Sequence, residues 1–439
     1  MATPWTNEEP CVPRSGGAAR RGRVPRFLIA TAAAFGLSLI TPHAGAGDLE
    51  ELLAEALRNS PEVLAAQKRY EAARQRPSQV SSLPDPMFSP GYAANGAPWP
   101  GAGLGMEPTS QIGFMVSQEF PFPGKRKLQG DMAVKEADAE FEQYQQIQLS
   151  VVSRLKQAYF RRAYAFAAAD VIERNLELLR RFLRITEARY AVGRAVQQDV
   201  FKAQTQISIL ETRRIQLERE KEAREAEIVS LVNRPPGSRL GLPDELRPQE
   251  LRAGLEELFA AAGRNSPMLR RDQKMIQRAE IAVNAARKEY YPDFALNAGY
   301  YNMGRMPDMY MFRADFKLPL YFFRKQRAGL AEQAQNLVQS RRTFEATNQS
   351  LHFRIKDDHL MAETSAQLVK LYGQTVIPQA SLALESSLAS YETGAVDFLT
   401  VLTNYITVVE YEMNYYEELR NFYLALSRLE EMTGQRLIQ

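Results

Sequence analysis

The stretch MFRADFKLPLYFF, from Met311 to Phe323, alternates between apolar and charged residues. Every second residue is apolar: Phe312, Ala314, Phe316 and Leu318. The residues between them are charged: Arg313, Asp315 and Lys317. Strict alternation predicts an extended strand with one apolar and one charged face. Such a strand fits a soluble sheet with its charges in water, or a transmembrane β-barrel with lipid outside and a water-filled lumen inside.

The N-terminal segment has the composition of a secretory signal peptide. Four arginines precede its apolar run: Arg20, Arg21, Arg23 and Arg26. The apolar run covers residues 27–40, and the small-residue sequence AGA follows at residues 44–46. This order predicts a cleaved signal peptide over residues 1–46. An anchor is disfavoured because a run of about 14 apolar residues is shorter than the roughly 20 that span a bilayer.

Removal of residues 1–46 changes both the charge and the cysteine content. The segment holds five of the 55 basic and two of the 52 acidic residues, which leaves 50 of each and no net charge. A neutral mature chain gives no support for nucleic-acid binding. The single cysteine, Cys11, lies in the same segment, so we expect no disulfide, thiolate catalysis or N-terminal lipid anchor.

The chain contains an internal duplication. LEEL and RNSP, which begin at residues 49 and 58, recur at residues 255 and 264 with one common offset of 206. ARYAVG before Asp199 likewise parallels ASYETG before Asp397. Units of this length exceed those of solenoid repeats. The predicted division is a first repeat (47–233), a Pro- and Gly-rich linker (234–250) and a second repeat (251–439).

Each repeat has the same predicted order of a helical segment, a β-hairpin and two long helices. The predicted hairpins and helical coiled coils cover four segments: 84–121 and 125–233 in the first repeat, 292–320 and 325–432 in the second. The last helix has a coiled-coil seam with 3-4 spacing: Leu399, Leu402, Ile406, Val409, Met413 and Tyr416. Within the helix before it, Pro378 predicts a kink.

Four strands per chain are too few to close a barrel, and open sheet edges are not viable in lipid. A barrel therefore requires several chains, with eight strands from two or twelve from three. The long helices also need partners for their apolar stripes. In a barrel, the charged positions of the strands would line the lumen: Glu119, Arg313, Asp315 and Lys317. A soluble sandwich is the alternative, but it does not explain why the hairpins join such long helices.

Element order and motifs together resemble the TolC-like outer-membrane efflux proteins over essentially the whole mature chain. The motifs are LPDP (83–86) before the first strand, PFPGKR (121–126) after the second, and Y-x-x-G followed by Asp at both helix tips. The resemblance implies a mixed α and β membrane protein: a homotrimer with a twelve-stranded outer-membrane barrel and a helical tunnel through the periplasm. It also implies three partners: outer-membrane lipid, a periplasmic adaptor and an inner-membrane RND-type pump.

The resemblance further assigns roles to residues of the helix tips. The residues at the tips, where the tunnel narrows and the adaptor docks, are Tyr190, Gly193, Asp199, Tyr391 and Gly394. Tyr391 and Asp199 match members of a closing latch, whose basic partner after the second glycine is absent. Asp397 matches an acidic ring at the constriction, and Thr400 stands where relatives carry a second Asp.

No arrangement of nucleophile, base or paired carboxylates predicts catalysis, so we expect no enzyme, cofactor or resident metal. His352 and His359 share a helix face but lack further ligands. The thioethers around the second hairpin suit Cu(I), although filling of a loop and strand ends explains them more simply: Met303, Met306, Met309 and Met311. The predicted function is a passive exit duct for metal cations or small toxic compounds. A duct for type I protein secretion and a secreted structural coiled-coil protein are the alternatives.

Overall fold

The computed structural model describes residues 49–95 and 98–438, so the predicted signal peptide lies outside the described residues. The first half contains seven described elements: α1 (Leu49–Asn59), α2 (Pro61–Ala73), α3 (Arg76–Ser81), β1 (Met87–Ala93), β2 (Gln111–Phe120), α4 (Lys125–Ala191) and α5 (Gln197–Leu231). The second half contains α6 (Leu255–Asn265), α7 (Pro267–Lys288), β3 (Asp293–Asn302), β4 (Met309–Lys317), α8 (Lys325–Leu371), a π-helical turn (Tyr372–Val376), α9 (Ile377–Thr393) and α10 (Phe398–Thr433). The same order thus occurs twice.

The two copies of the RNSP motif interrupt the opening helices at corresponding positions. Ser60 and Ser266 have extended backbones, and a proline occupies the first helical position after each. Proline suits that position because its missing N–H would have no partner inside the helix. The helical segment predicted from residue 251 starts only at Leu255, because Gly254 before it is still extended.

The long helices follow from sequences nearly free of glycine and proline. Helix α4 has 67 residues, which gives a rod of about 100 Å. In the second half, Pro378 lies at the start of α9 directly after the π-helical turn. Proline removes one helical hydrogen bond and crowds the preceding turn, and the wider π turn accommodates this. Among the described residues, no helix combines the length and the apolar character needed to cross a bilayer.

The four strands form one antiparallel sheet in the order β1-β2-β3-β4, so β1 and β4 are its edges. The central pair joins the two repeats: Phe114 of β2 stands opposite Tyr300 of β3. In each outer pair the register keeps apolar residues opposite apolar ones, as with Tyr300 and Tyr310. Because side chains alternate between faces, this register separates an apolar from a polar face.

The helical core lies along α4, which packs against α5, α7 and α10 and against the three opening helices. Residues 232–254 between the repeats form neither helix nor strand, yet they are held against this core. The Tyr159 hydroxyl lies 2.9 Å from the Asp244 carboxylate, and the Tyr423 hydroxyl donates to the Arg247 carbonyl at 2.7 Å. The segment therefore bridges α4 of the first repeat and α10 of the second.

Candidate functional site: the sheet faces and the helix tips

One face of the sheet is apolar and exposed. Its aromatic rings form a ladder across all four strands, with centroid distances of 5.5 Å from Phe88 to Phe114, 6.0 Å from Phe114 to Tyr300 and 5.5 Å from Tyr300 to Tyr310. A second row crosses three strands: Phe120, Phe294 and Phe316. Phe312 is 82% exposed. A contiguous apolar surface of this kind marks contact with lipid or with protein.

The opposite face holds all four predicted lumen residues. Lys317 stands opposite Asp293, and Asp315 stands opposite Ala295, which in turn pairs with Glu119. Arg313 Nε lies 2.9 Å from an Asp315 oxygen. Asn297 on the neighbouring strand donates to Asp315 at 2.9 Å. This face therefore carries a charged, hydrogen-bonded network suited to a polar environment.

The polar face also carries methionines. Met311 stands opposite Gly299, which stands opposite Met115, so these two thioethers share the face with Arg313. Met309, two residues before Met311, lies on the same face. From the sequence, Met309 and Met311 were expected to fill a loop and strand ends, and Met115 was not identified. The alternation of Phe114, Met115 and Val116 was the available signal.

The histidines considered as metal ligands lie apart from any such site. His352 packs its ring 4.9 Å from the Phe259 ring. Asp358, between the two histidines in sequence, pairs instead with Arg428 at 2.6 Å. Within the described part of the chain, no group of three or more His, Cys, Asp or Glu side chains is placed to hold a metal ion.

The first helix tip is a glycine-dependent turn between α4 and α5. Gly193 has a φ of 72°, a left-handed conformation that disfavours residues with a side chain. Its N–H donates to the Tyr190 carbonyl at 2.9 Å, which closes the end of α4. Tyr190 is 46% exposed. Asp199 is half-buried in the first turn of α5.

The second tip repeats the backbone of the first but buries its tyrosine. Gly394 has a φ of 83° and donates its N–H to the Tyr391 carbonyl at 2.9 Å. Tyr391 is only 4% exposed. Its ring packs edge-on against Phe182 of α4 and Phe398 of α10, and those two rings stack on each other 5.2 Å apart. The second tip therefore has a small aromatic core shared by both repeats.

Arg189 joins the two tips and was not identified from the sequence. Its guanidinium carbon lies 4.3 Å from the centre of the Tyr391 ring, and the same side chain donates to the Tyr391 carbonyl. A cation near the carbonyl end of a helix is the only sequence signal for this role. The Tyr391 hydroxyl is buried without a hydrogen-bond partner among the described residues. A latch between Tyr391 and Asp199 therefore stays a prediction.

Asp397 is the N-cap of α10. Its carboxylate accepts hydrogen bonds from the Thr400 N–H, at 3.2 Å, and from the Thr400 hydroxyl. These bonds lower the pKa of Asp397, because they stabilise the charged carboxylate. The predicted seam is wrong at its first residue: Leu399 is 51% exposed, whereas Phe398 is buried. The reason is that Phe398, the first residue of α10, stacks on Phe182. Asp397 and Thr400 nonetheless lie on the exposed side of α10.

Comparison with known proteins agrees with this architecture. The chain is 22% identical over 378 residues to the probable outer membrane lipoprotein SilC of Salmonella typhimurium, covering 81% of this chain and 78% of SilC. The crystal structure of VceC from Vibrio cholerae has a TM-score of 0.75 at 17% identity, covering 89% of this chain and 97% of VceC. For the open state of Neisseria gonorrhoeae MtrE the TM-score is 0.71 at 18% identity, with 89% and 90% coverage.

The model of the outer membrane efflux protein family matches residues 52–234 and 258–435, nearly the whole of both repeats. The two matched segments cover most of the two predicted repeats, and the unmatched residues between them, 235–257, comprise most of the bridging segment and the first three residues of α6. The chain therefore belongs to the outer membrane efflux protein family, a family of outer-membrane channels that are not enzymes.

Proposed function

We propose that three copies of the chain form the passive exit duct of a tripartite efflux system, with a twelve-stranded barrel continued by a helical tunnel. The observation that carries this proposal is the four-stranded sheet, which exposes an aromatic face on one side and a charged face on the other. Its edges, β1 and β4, are both open within one chain. Lipid tolerates no open edge, so further copies would close the edges, and the aromatic face would contact lipid.

We infer that the helix tips receive the periplasmic adaptor, which connects the duct to an inner-membrane RND-type pump. The first tip supports this role because it is apolar at a place where a helix end faces water. Val192 and Val196 are 69% and 60% exposed, and Tyr190 beside them is 46% exposed. Apolar side chains of this kind are suited to a protein contact. The second tip, with Tyr391 buried, would hold the tunnel entrance together.

For cargo, we propose metal cations or small toxic compounds. Carboxylates and thioethers on the polar face support passage of cations, because Glu119 attracts positive charge and methionine sulfurs suit soft ions such as Cu(I). Glu119 and Asp315 lie on that face with Met115 and Met311. The family match favours a duct over a secreted structural coiled coil.

Native extraction tests the assembly. The outer-membrane fraction should contain a trimer that resists SDS and shifts to monomer on heating, as expected for a closed barrel. In a planar bilayer the same preparation should conduct ions. A monodisperse soluble monomer in the periplasmic fraction would overturn the proposal.

A matched pair of variants tests the cargo. Met115→Leu combined with Met311→Leu should lower tolerance to Cu(I) and leave tolerance to organic compounds unchanged, since leucine preserves volume but removes sulfur. Met106→Leu is the control, because Met106 lies in the first hairpin loop and is 81% exposed. Equal Cu(I) tolerance of both variants and the parent would exclude a role of these thioethers in metal passage.

A further inference from the structure

One charged pair ties the two hairpins together within the chain. Lys125, the first residue of α4, is only 5% exposed. Its ammonium lies 2.9 Å from Asp293 at the start of β3 and 3.4 Å from Glu289. Asp293 also accepts the Phe122 backbone N–H at 2.7 Å. The end of the first hairpin is therefore joined to the beginning of the second by a buried, hydrogen-bonded ion pair.

The duplication places the same two charges at the outer ends of the sheet. Lys325 is the first residue of α8, as Lys125 is of α4. Asp85 follows a proline and precedes β1, as Asp293 follows a proline and begins β3. Both Lys325 and Asp85 are exposed, and neither forms an ion pair within residues 49–95 and 98–438. They cannot pair in one chain, because three strand spacings, about 14 Å, separate their edges.

The inner strand pair shows how the edges can meet. Strands β2 and β3, one from each repeat, are antiparallel neighbours, and Lys125 and Asp293 lie beside the end of their ladder. Strand β4 is the counterpart of β2, and β1 is the counterpart of β3. A second copy of the chain can thus add its β1 to β4 with the geometry already present between β2 and β3. That contact would also close the open edges.

We propose that Lys325 of one copy forms an ion pair with Asp85 of the neighbouring copy, and that this pair sits at each joint between subunits of the duct. The proposal rests on the proposed oligomeric function. When Pro84-Asp85 is aligned with Pro292-Asp293, Ser81 stands at the position of Glu289. Lys325 therefore meets one carboxylate where Lys125 meets two. The joint between copies thus carries one negative charge fewer than the joint between β2 and β3.

Cysteine cross-linking tests the geometry. The purified full chain with Lys325→Cys and Asp85→Cys is treated with a short bis-maleimide, which spans the length of a Lys–Asp pair. Cross-linked dimers and trimers on a denaturing gel should exceed those of either single variant several-fold. The control carries Lys125→Cys and Asp293→Cys, whose link should form inside one chain and leave the monomer mass unchanged.

Charge reversal supplies a second readout where a cysteine variant fails to fold. Lys325→Asp or Asp85→Lys alone should lower the yield of SDS-resistant oligomer, and the two together should restore it. The pairing is wrong if the parent protein assembles but the double reversal gives no more oligomer than the worse single variant and the cross-links form only within chains. In that case the proposed function as a duct is unaffected. If the parent forms no oligomer at all, the proposed function itself fails.

Discussion

The long helices of the two repeats, α4 and α8, have the same place in the element order and different surroundings. Helix α4 buries residues along its whole length, from Lys125 to Thr186. Helix α8 buries only six of its 47 residues. In the described part of the chain, α4 packs against helices on several sides, whereas α8 packs mainly against α7 and α10. Phe353 of α8 is consequently 69% exposed.

We infer from this difference that the repeated element order serves two purposes. The apolar residues of α4 stabilise the fold of one chain. Those of α8 remain available: Val338, Phe353 and Leu360 are 48%, 69% and 50% exposed. We infer that the second repeat stabilises the assembly where the first stabilises the subunit. The first three predictions below each contrast a residue whose contacts lie within the chain with a residue that is exposed to the surroundings.

The largest contrast is expected between the cores of the two helices. Leu155→Ala in α4, where the side chain is fully buried, should lower the free energy of unfolding by about 2–5 kcal/mol. Phe353→Ala should change the stability of the single chain by at most about 0.5 kcal/mol yet reduce the trimer fraction. Urea unfolding followed by circular dichroism, and native mass measurement in detergent, give the two readouts. An equal loss of chain stability in both variants would contradict the comparison.

The two faces of β4 provide the second contrast. Phe312→Arg should strongly reduce trimer yield, because arginine on a lipid-facing strand costs roughly 2–4 kcal/mol at mid-membrane. Arg313→Phe should be tolerated better, since its neighbour Asp315 keeps Asn297 as a hydrogen-bond partner. Unheated gel electrophoresis of membrane fractions measures the yield. The reverse order of the two yields would show that the faces are exchanged.

The two tip tyrosines, Tyr391 and Tyr190, provide the third contrast. Tyr391→Ala removes the packing of the ring on Phe182 and Phe398 and the contact between the ring and the Arg189 guanidinium. The combined local loss of about 1–3 kcal/mol should raise amide exchange across the second tip. Tyr190→Ala, its exposed counterpart, should change exchange little. Tyr391→Phe should resemble the parent, because the hydroxyl has no partner within the described chain.

Conductance then separates the aromatic core from the predicted latch. Tyr391→Ala should raise the conductance above that of the parent, and Tyr391→Phe should leave it at the level of the parent. A raised conductance in Tyr391→Phe would instead show that the hydroxyl has a partner in the assembled state, as a latch with Asp199 requires.

The smallest effect is expected at Asp397. Because its folded pKa lies below the unfolded value of about 3.9, the cap contributes stability above that pH and loses it as pH falls through the folded pKa. Asp397→Asn keeps a good N-cap and should remove this acid sensitivity. If Asp397 also forms the predicted ring, the variant loses cation preference at neutral pH. Reversal potentials in a salt gradient decide this, and undiminished cation preference would rule out the ring.

The parts of the structure that follow from local pattern were predictable from the sequence. Alternation around Phe312 and Arg313 indicated both the strand and its faces, and the glycines of the tips indicated the turns. Contacts between distant residues were not predictable. Arg189 and Tyr391 are 202 residues apart, and no local rule pairs them. The buried stripe of α10 begins at Phe398 and not at the predicted Leu399. Both residues are apolar, so the sequence alone does not distinguish them. The difference arises from the stack of Phe398 on Phe182.

The π-helical turn before Pro378 resolves a mismatch of length between the repeats. Tyr190 follows Lys125 by 65 residues, whereas Tyr391 follows Lys325 by 66. A π turn absorbs one additional residue within a helix, and without it every later side chain would be rotated by about 100°. Deletion of one residue within 372–376 should therefore replace the π turn with a regular helical turn, kinked at Pro378, and leave Tyr391 in register with Arg189. A one-residue deletion in α4 before Phe182, where no π turn holds an additional residue, should turn Phe182 away from Phe398.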